Sequence, residues 1–72
     1  MAEKIVELSS VGDIRPWTEE RAEALQWGGR CRIYRSQDDL IGCRNLASED
    51  ACQSWAQSNG AWGYAWAPGY SC

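Results

Sequence analysis

The sequence predicts a small α+β domain with a short antiparallel sheet, two helices and the βαββαβ order of elements, which is that of a ferredoxin-like split βαβ unit. Three observations support this prediction. Segments that resemble strands alternate with two segments of good helix formers. Four cysteines in 72 residues are typical of a domain stapled by disulfides. The length allows a single domain, residues 1–72, with a small core.

The first half of the chain predicts one strand and one helix. The strand runs from Lys4 to Val11, and Gly12-Asp13 ends it. A helix is expected over residues 16–27, because Pro16 suits a first turn and the acidic residues that follow it favour the helix dipole. Gly28-Gly29 would end this helix.

A β-hairpin is predicted in the middle of the chain. Its strands are Arg30 to Arg35 and Leu40 to Asn45, and the turn is Gln37 to Asp39. A three-residue loop separates apolar from basic residues best, and this separation decides the register. The opposed pairs would be Ser36–Leu40, Arg35–Ile41, Ile33–Cys43 and Cys31–Asn45. One face would hold Cys31, Ile33, Arg35, Ile41 and Cys43, and the other Arg30, Arg32, Tyr34, Gly42 and Arg44.

The last third of the chain predicts a second helix followed by an aromatic strand. The helix runs from Glu49 to Asn59, with Asn45 or Ser48 as its cap. Gly60 suits the position after the helix, and the strand covers residues 61–67.

The four cysteines predict two disulfides, and they are Cys31, Cys43, Cys52 and Cys72. A zinc site made of all four is an alternative, although the chain has no histidine and no closely spaced cysteine pair. Four free thiols in a reducing compartment are another alternative. Cys31 and Cys43 lie diagonally on the predicted hairpin, so a direct bridge between them would be strained. Two pairings stay open: Cys31–Cys52 with Cys43–Cys72, or Cys31–Cys72 with Cys43–Cys52.

An aromatic row is the first candidate ligand-binding site, and it comprises Trp62, Tyr64, Trp66 and Tyr70. The first three would share one strand face, because successive side chains point to opposite faces. Flat apolar rings with polar tips suit sugars and protein contacts. The alternative is that the row forms the core.

A basic face is the second candidate site, for an anion or an acidic partner, and it comprises Arg30, Arg32, Tyr34 and Arg44. Guanidinium groups bind phosphate, sulfate or carboxylate in bidentate fashion. The alternative is a solvated face whose arginines pair with Glu19, Glu20 and Glu23.

Composition argues against several functional classes. A net charge of −3 argues against general binding to nucleic acid, and no segment is apolar enough to cross a membrane. The chain lacks histidine, a Gly-rich phosphate loop and a catalytic Ser/His/Asp set, so we expect no enzyme activity and no cofactor.

The expected function is therefore a non-catalytic binding module that contacts a glycan or a protein surface. Secreted defence, toxin, effector and lectin-like proteins share this character. The cysteines favour a secreted protein, although the N-terminus Met1-Ala2-Glu3-Lys4 does not resemble a signal peptide. The alternative is a cytoplasmic interaction or inhibitor protein that docks through its Arg-rich hairpin.

Overall fold

The computed structural model describes residues 4–18 and 28–72. These residues form an α+β fold with a four-stranded antiparallel sheet and one α-helix. The strands are β1 (Val6–Glu7), β2 (Gly29–Ser36), β3 (Asp39–Leu46) and β4 (Gly63–Pro68). The helix is α1 (Glu49–Ser58), and a short 3₁₀ helix (Leu8–Ser10) follows β1.

The strand order across the sheet is β1-β4-β2-β3, and every neighbouring pair is antiparallel. Strands β3 and β4 flank β2, so they run parallel to each other, and α1 connects them across one face. In this half of the molecule, β2 therefore lies between the two strands that α1 connects. The predicted βαββαβ order is matched only in part, because the described residues contain one α-helix. We call the face that α1 covers the helix face, and the opposite one the second face.

The helix α1 forms where the sequence predicts it, within one residue at its C-terminal end. The Ser48 side chain caps it by accepting a hydrogen bond from the Ala51 amide at 3.2 Å, and Asn45 plays no part in this cap. Two acidic residues, Glu49 and Asp50, lie in the first turn. Gly60 follows the helix with a φ of +67°, a conformation that favours glycine.

The core lies between the helix face and α1. Its fully or almost fully buried hydrophobic residues are Cys31, Ile33, Leu46, Ala51, Cys52, Ala56 and Tyr64. Only two of these are large aliphatic side chains, so the core contains little apolar volume. Half-buried residues, including Trp55 and Trp66, pack around this cluster and extend it.

Two disulfides staple the fold, and all four cysteines take part. They are Cys31–Cys52 and Cys43–Cys72, with sequence separations of 21 and 29 residues. The structure therefore selects the first of the two pairings that the sequence leaves open. Closing loops of this length contributes about 3 to 4 kcal/mol for each bridge in the chain-entropy account.

The hairpin register differs from the expected one. Ser36 pairs with Asp39, which makes a two-residue loop, and Ile33 pairs with Gly42 instead of Cys43. Irregularities in the register leave Arg35 and Ile41 as extra residues, as β-bulges do. Gly42 lies under the helix, where a Cβ would make ordinary contacts with Ile33 at 3.4 Å and Trp55 at 3.5 Å.

Two further expectations are corrected. The first strand covers Val6–Glu7 and not residues 4–11, because Ser10 Oγ donates to the Glu7 carbonyl at 2.7 Å and the chain turns into the 3₁₀ helix. The described residues contain one α-helix where the sequence predicts two. Residues 16–18 of the expected first helix are not helical, and residues 19–27 lie outside the described part.

We predict that Gly29→Ala destabilises the protein, whereas Gly12→Ala does not. A Cβ on Gly29 would lie 2.7 Å from the Ala67 carbonyl oxygen and the Pro68 Cα, both of them backbone atoms of β4. At Gly12 a Cβ meets no atom within 4 Å. Urea denaturation should give a loss of about 2 kcal/mol for the first variant and less than about 0.5 kcal/mol for the second. Equal effects would contradict the close strand packing at Gly29.

Candidate functional site

The four aromatic residues of the predicted row lie in three different environments. Tyr64 is 1% exposed, and Trp66 is half-buried against the core. Trp62 is 37% exposed and precedes β4, and Tyr70 is 65% exposed beyond its other end. The row is therefore not one platform: its middle belongs to the core, and its two ends reach the surface separately.

Tyr64 is held in a polar network between β4 and α1. Its hydroxyl donates to Glu49 Oε2 at 2.8 Å and accepts a hydrogen bond from Gln53 Nε2 at 2.8 Å. Burial raises the pKa of the Tyr64 hydroxyl, the hydrogen bond and charge of Glu49 raise it further, and the bond from Gln53 partly opposes the shift. This side chain fastens the helix to the sheet, so it is not available to a ligand.

Trp62 lines a surface groove of about 410 Å³. The other lining residues are Lys4, Ile5, Glu7 and Gln37. They come from three parts of the chain: the segment around β1, the β2–β3 turn, and the residue before β4. The groove is therefore formed by the tertiary fold.

Backbone hydrogen bonds fix Trp62 from both sides. Its amide donates to the Tyr34 carbonyl at 2.8 Å, and its carbonyl accepts from the Leu8 amide at 3.0 Å. The next residue, Gly63, permits the close approach of β1, since a Cβ there would lie 2.7 Å from the Val6 oxygen and 3.0 Å from Ile5 Cγ2. This approach brings the segment around β1 beside the indole ring.

The groove combines one aromatic ring with three kinds of polar group. Lys4 supplies an ammonium donor, Glu7 a carboxylate acceptor, and Gln37 an amide that both donates and accepts. Ile5 adds an apolar surface beside Trp62. This set can stack against a flat apolar face of a ligand and hydrogen-bond to hydroxyl or amide groups at its edge.

Sequence reasoning identified Trp62 but missed the other four lining residues. Lys4, Ile5 and Glu7 lie in the predicted first strand, and Gln37 lies in the predicted turn, with no motif to distinguish them. Ile5 and Glu7 are two residues apart, so a strand would place both side chains on the same face, and this is a weak signal. The missing information is the pairing of β1 with β4, because strand order is a property of the fold and not of a local pattern.

The basic residues divide between the two faces of the sheet. Arg30, Arg32 and Tyr34 lie on the second face, as expected. Arg44 pairs with Cys31 and so lies on the helix face, with its guanidinium carbon 5.4 Å from the centre of the Trp17 ring. The expected position of Arg44 on the same face as Arg32 is wrong, because the two-residue loop is one residue shorter than expected and shifts β3 by one residue relative to β2.

No cluster of three or more His, Cys, Asp or Glu side chains suited to a metal ion occurs within residues 4–18 and 28–72. In the same part of the chain, no helix has the length and apolar character needed to span a bilayer. The chain matches no protein-family model, no curated protein and no solved structure.

We predict that Tyr64→Phe lowers the free energy of unfolding. The variant should also lose less stability than the unmodified protein as the pH rises into the alkaline range. The folded-state pKa lies above the ordinary value of 10.0, so the folded protein holds this proton more tightly than the unfolded chain. The stabilisation that comes from this tightly held proton is complete below about pH 10, and it is lost as the pH rises through the folded-state pKa of Tyr64. The variant should lose about 1 kcal/mol at neutral pH, because the hydroxyl bonds disappear.

Urea denaturation of both proteins from about pH 8 to about pH 11 measures this effect. The two stability curves should converge at the alkaline end. Parallel curves would contradict the assignment of a raised pKa to Tyr64.

Proposed function

We propose that this protein is a non-catalytic, disulfide-stapled binding module of the lectin-like type, and that its groove at Trp62 binds a glycan. The observation that carries the proposal is the position of Trp62. It is an exposed tryptophan with a fixed backbone beside ammonium, carboxylate and amide groups. Sugar rings offer apolar C–H faces for stacking and hydroxyl groups for hydrogen bonds, which matches this combination.

The dimensions of the groove support a ligand of small size. Its volume of about 410 Å³ falls within the range of 300–1,000 Å³ that is usual for small-molecule sites. A protein partner would instead cover a patch of about 800 Å² on each side. We therefore favour a short oligosaccharide segment over a broad protein contact.

The rigidity of the site favours binding as well. Trp62 is anchored through its amide and its carbonyl, so its backbone is already ordered before a ligand arrives. Sites whose groups are already ordered lose less conformational entropy on binding. The two disulfides keep this arrangement in a domain whose core has little aliphatic volume.

The disulfides also bear on location. They are compatible with an extracellular protein, and bridges of this kind persist in oxidising compartments. We propose that the protein is secreted. The cytoplasmic alternative with free thiols receives no support from the pairing of all four cysteines.

We predict that Trp62→Ala weakens glycan binding at least about tenfold, equivalent to about 1.4 kcal/mol. The purified oxidised protein is screened on an array of oligosaccharides, and the best hit is titrated by calorimetry. The variant should keep the fold, because Trp62 lies at the surface and outside the buried cluster. Circular dichroism before titration checks this point.

Tyr70→Ala is the matched control. It removes an aromatic residue that is more exposed than Trp62 and does not line the groove, so affinity should not change. Equal losses in both variants, or full affinity in Trp62→Ala, would refute the groove as the site. A steep loss of affinity with rising salt, together with a loss in Arg32→Ala, would instead identify the Arg-rich hairpin as the docking surface.

A further inference from the structure

The two disulfides differ in their exposure. Cys31 and Cys52 are 0% exposed and lie in the core between β2 and α1. Cys43 and Cys72 are both exposed at the surface. A thiol in solution can therefore approach the second bridge in the folded protein, whereas it reaches the first only after the core opens.

The exposed bridge ties a short tail, residues 69–72, to strand β3. The Gly69 amide donates to the Gly28 carbonyl at 3.1 Å, and the Tyr70 amide donates to the Ala67 carbonyl at 3.3 Å. The Cys72 amide donates to Asn45 Oδ1 at 3.0 Å. These are few and solvent-accessible bonds, so the covalent link to Cys43 is the main restraint on the tail.

The tail also carries an aromatic ring to a basic residue of the second face. The guanidinium carbon of Arg30 lies 5.5 Å from the centre of the Tyr70 ring, a cation–π distance. The tail therefore contacts one end of the basic face while the bridge is closed. Opening the bridge would remove this contact from Arg30.

We propose that Cys43–Cys72 is a thiol-exchange site, and that small thiols open it while Cys31–Cys52 preserves the fold. The thiolate of a small thiol attacks one sulfur of the bridge, forms a mixed disulfide, and expels the other cysteine as a thiolate that takes a proton. A second small thiol then attacks the mixed disulfide. Two small thiols are thereby oxidised to one disulfide, and Cys43 and Cys72 are reduced to two thiols.

This site is independent of the proposed glycan groove. Trp62 precedes the first residue of β4, whereas the tail follows the last residue of that strand. The lining residues of the groove do not include any residue of the tail. Opening the bridge should release the tail and leave the groove intact.

Stepwise reduction tests the proposal. The oxidised protein is exposed to rising concentrations of reduced glutathione, quenched with acid, alkylated, and mapped by mass spectrometry after digestion. We expect an intermediate in which only Cys43 and Cys72 carry the alkyl label. This intermediate should form at least about tenfold faster than Cys31 and Cys52 become labelled. A mixed disulfide with glutathione on Cys43 or Cys72 should precede it. Simultaneous labelling of all four cysteines, or earlier labelling of Cys31 and Cys52, would overturn the proposal.

Hydrogen exchange of the double variant Cys43→Ser/Cys72→Ser provides the second test. Its tail amides at positions 70 and 72 should exchange faster than in the oxidised protein, while the amides of α1 keep their protection. The pair Cys31→Ser/Cys52→Ser is the comparison, and its helix amides should lose protection. Unchanged protection of the tail in Cys43→Ser/Cys72→Ser would show that this bridge does not restrain the tail. Loss of protection in α1 of the same variant would show that the fold depends on the bridge.

Discussion

The Cys31–Cys52 disulfide joins the third residue of β2 to the first turn of α1, and both of its residues are completely buried. The rest of the fold depends on this link. The chain contains no phenylalanine, and the core of the described residues is formed mostly by alanine, cysteine and single large residues such as Ile33 and Leu46. A domain of this size has only a few kcal/mol of net stability, so one buried bridge is a large part of the total. The bridge also fixes α1 over the helix face, which allows Tyr64 to reach Glu49 at the helix start.

The start of β4 determines how the aromatic residues divide between structure and function. The strand begins at Gly63, so Trp62 stands just outside it and is held by backbone bonds to Tyr34 and Leu8. Tyr64 and Trp66 then alternate onto the helix face and enlarge the core. A single segment of sequence thus supplies both core residues and the exposed ring of the groove.

Much of this arrangement could be predicted from the sequence because it follows from local chemistry. The hairpin strands, the helix after Ser48 and the aromatic strand follow from residue patterns and capping chemistry. The two-residue loop and the position of Arg44 opposite Cys31 could not be predicted, because the separation of apolar from basic residues on the hairpin favours a three-residue loop. The groove was missed for another reason: it exists only because β1 pairs with β4, and no local pattern encodes that pairing. The pairing of the cysteines was also beyond the sequence, which left two arrangements equally acceptable.

Disulfide mapping shows which cysteines are bonded, and the packing of α1 on the sheet depends on the bond between Cys31 and Cys52. The oxidised protein is digested with trypsin and chymotrypsin together, since trypsin alone leaves Cys52 and Cys72 on one peptide. We expect two cross-linked peptide pairs, Cys31 with Cys52 and Cys43 with Cys72. Peptides that link Cys31 to Cys72 and Cys43 to Cys52, or four cysteines that alkylate without reduction, would contradict this pairing.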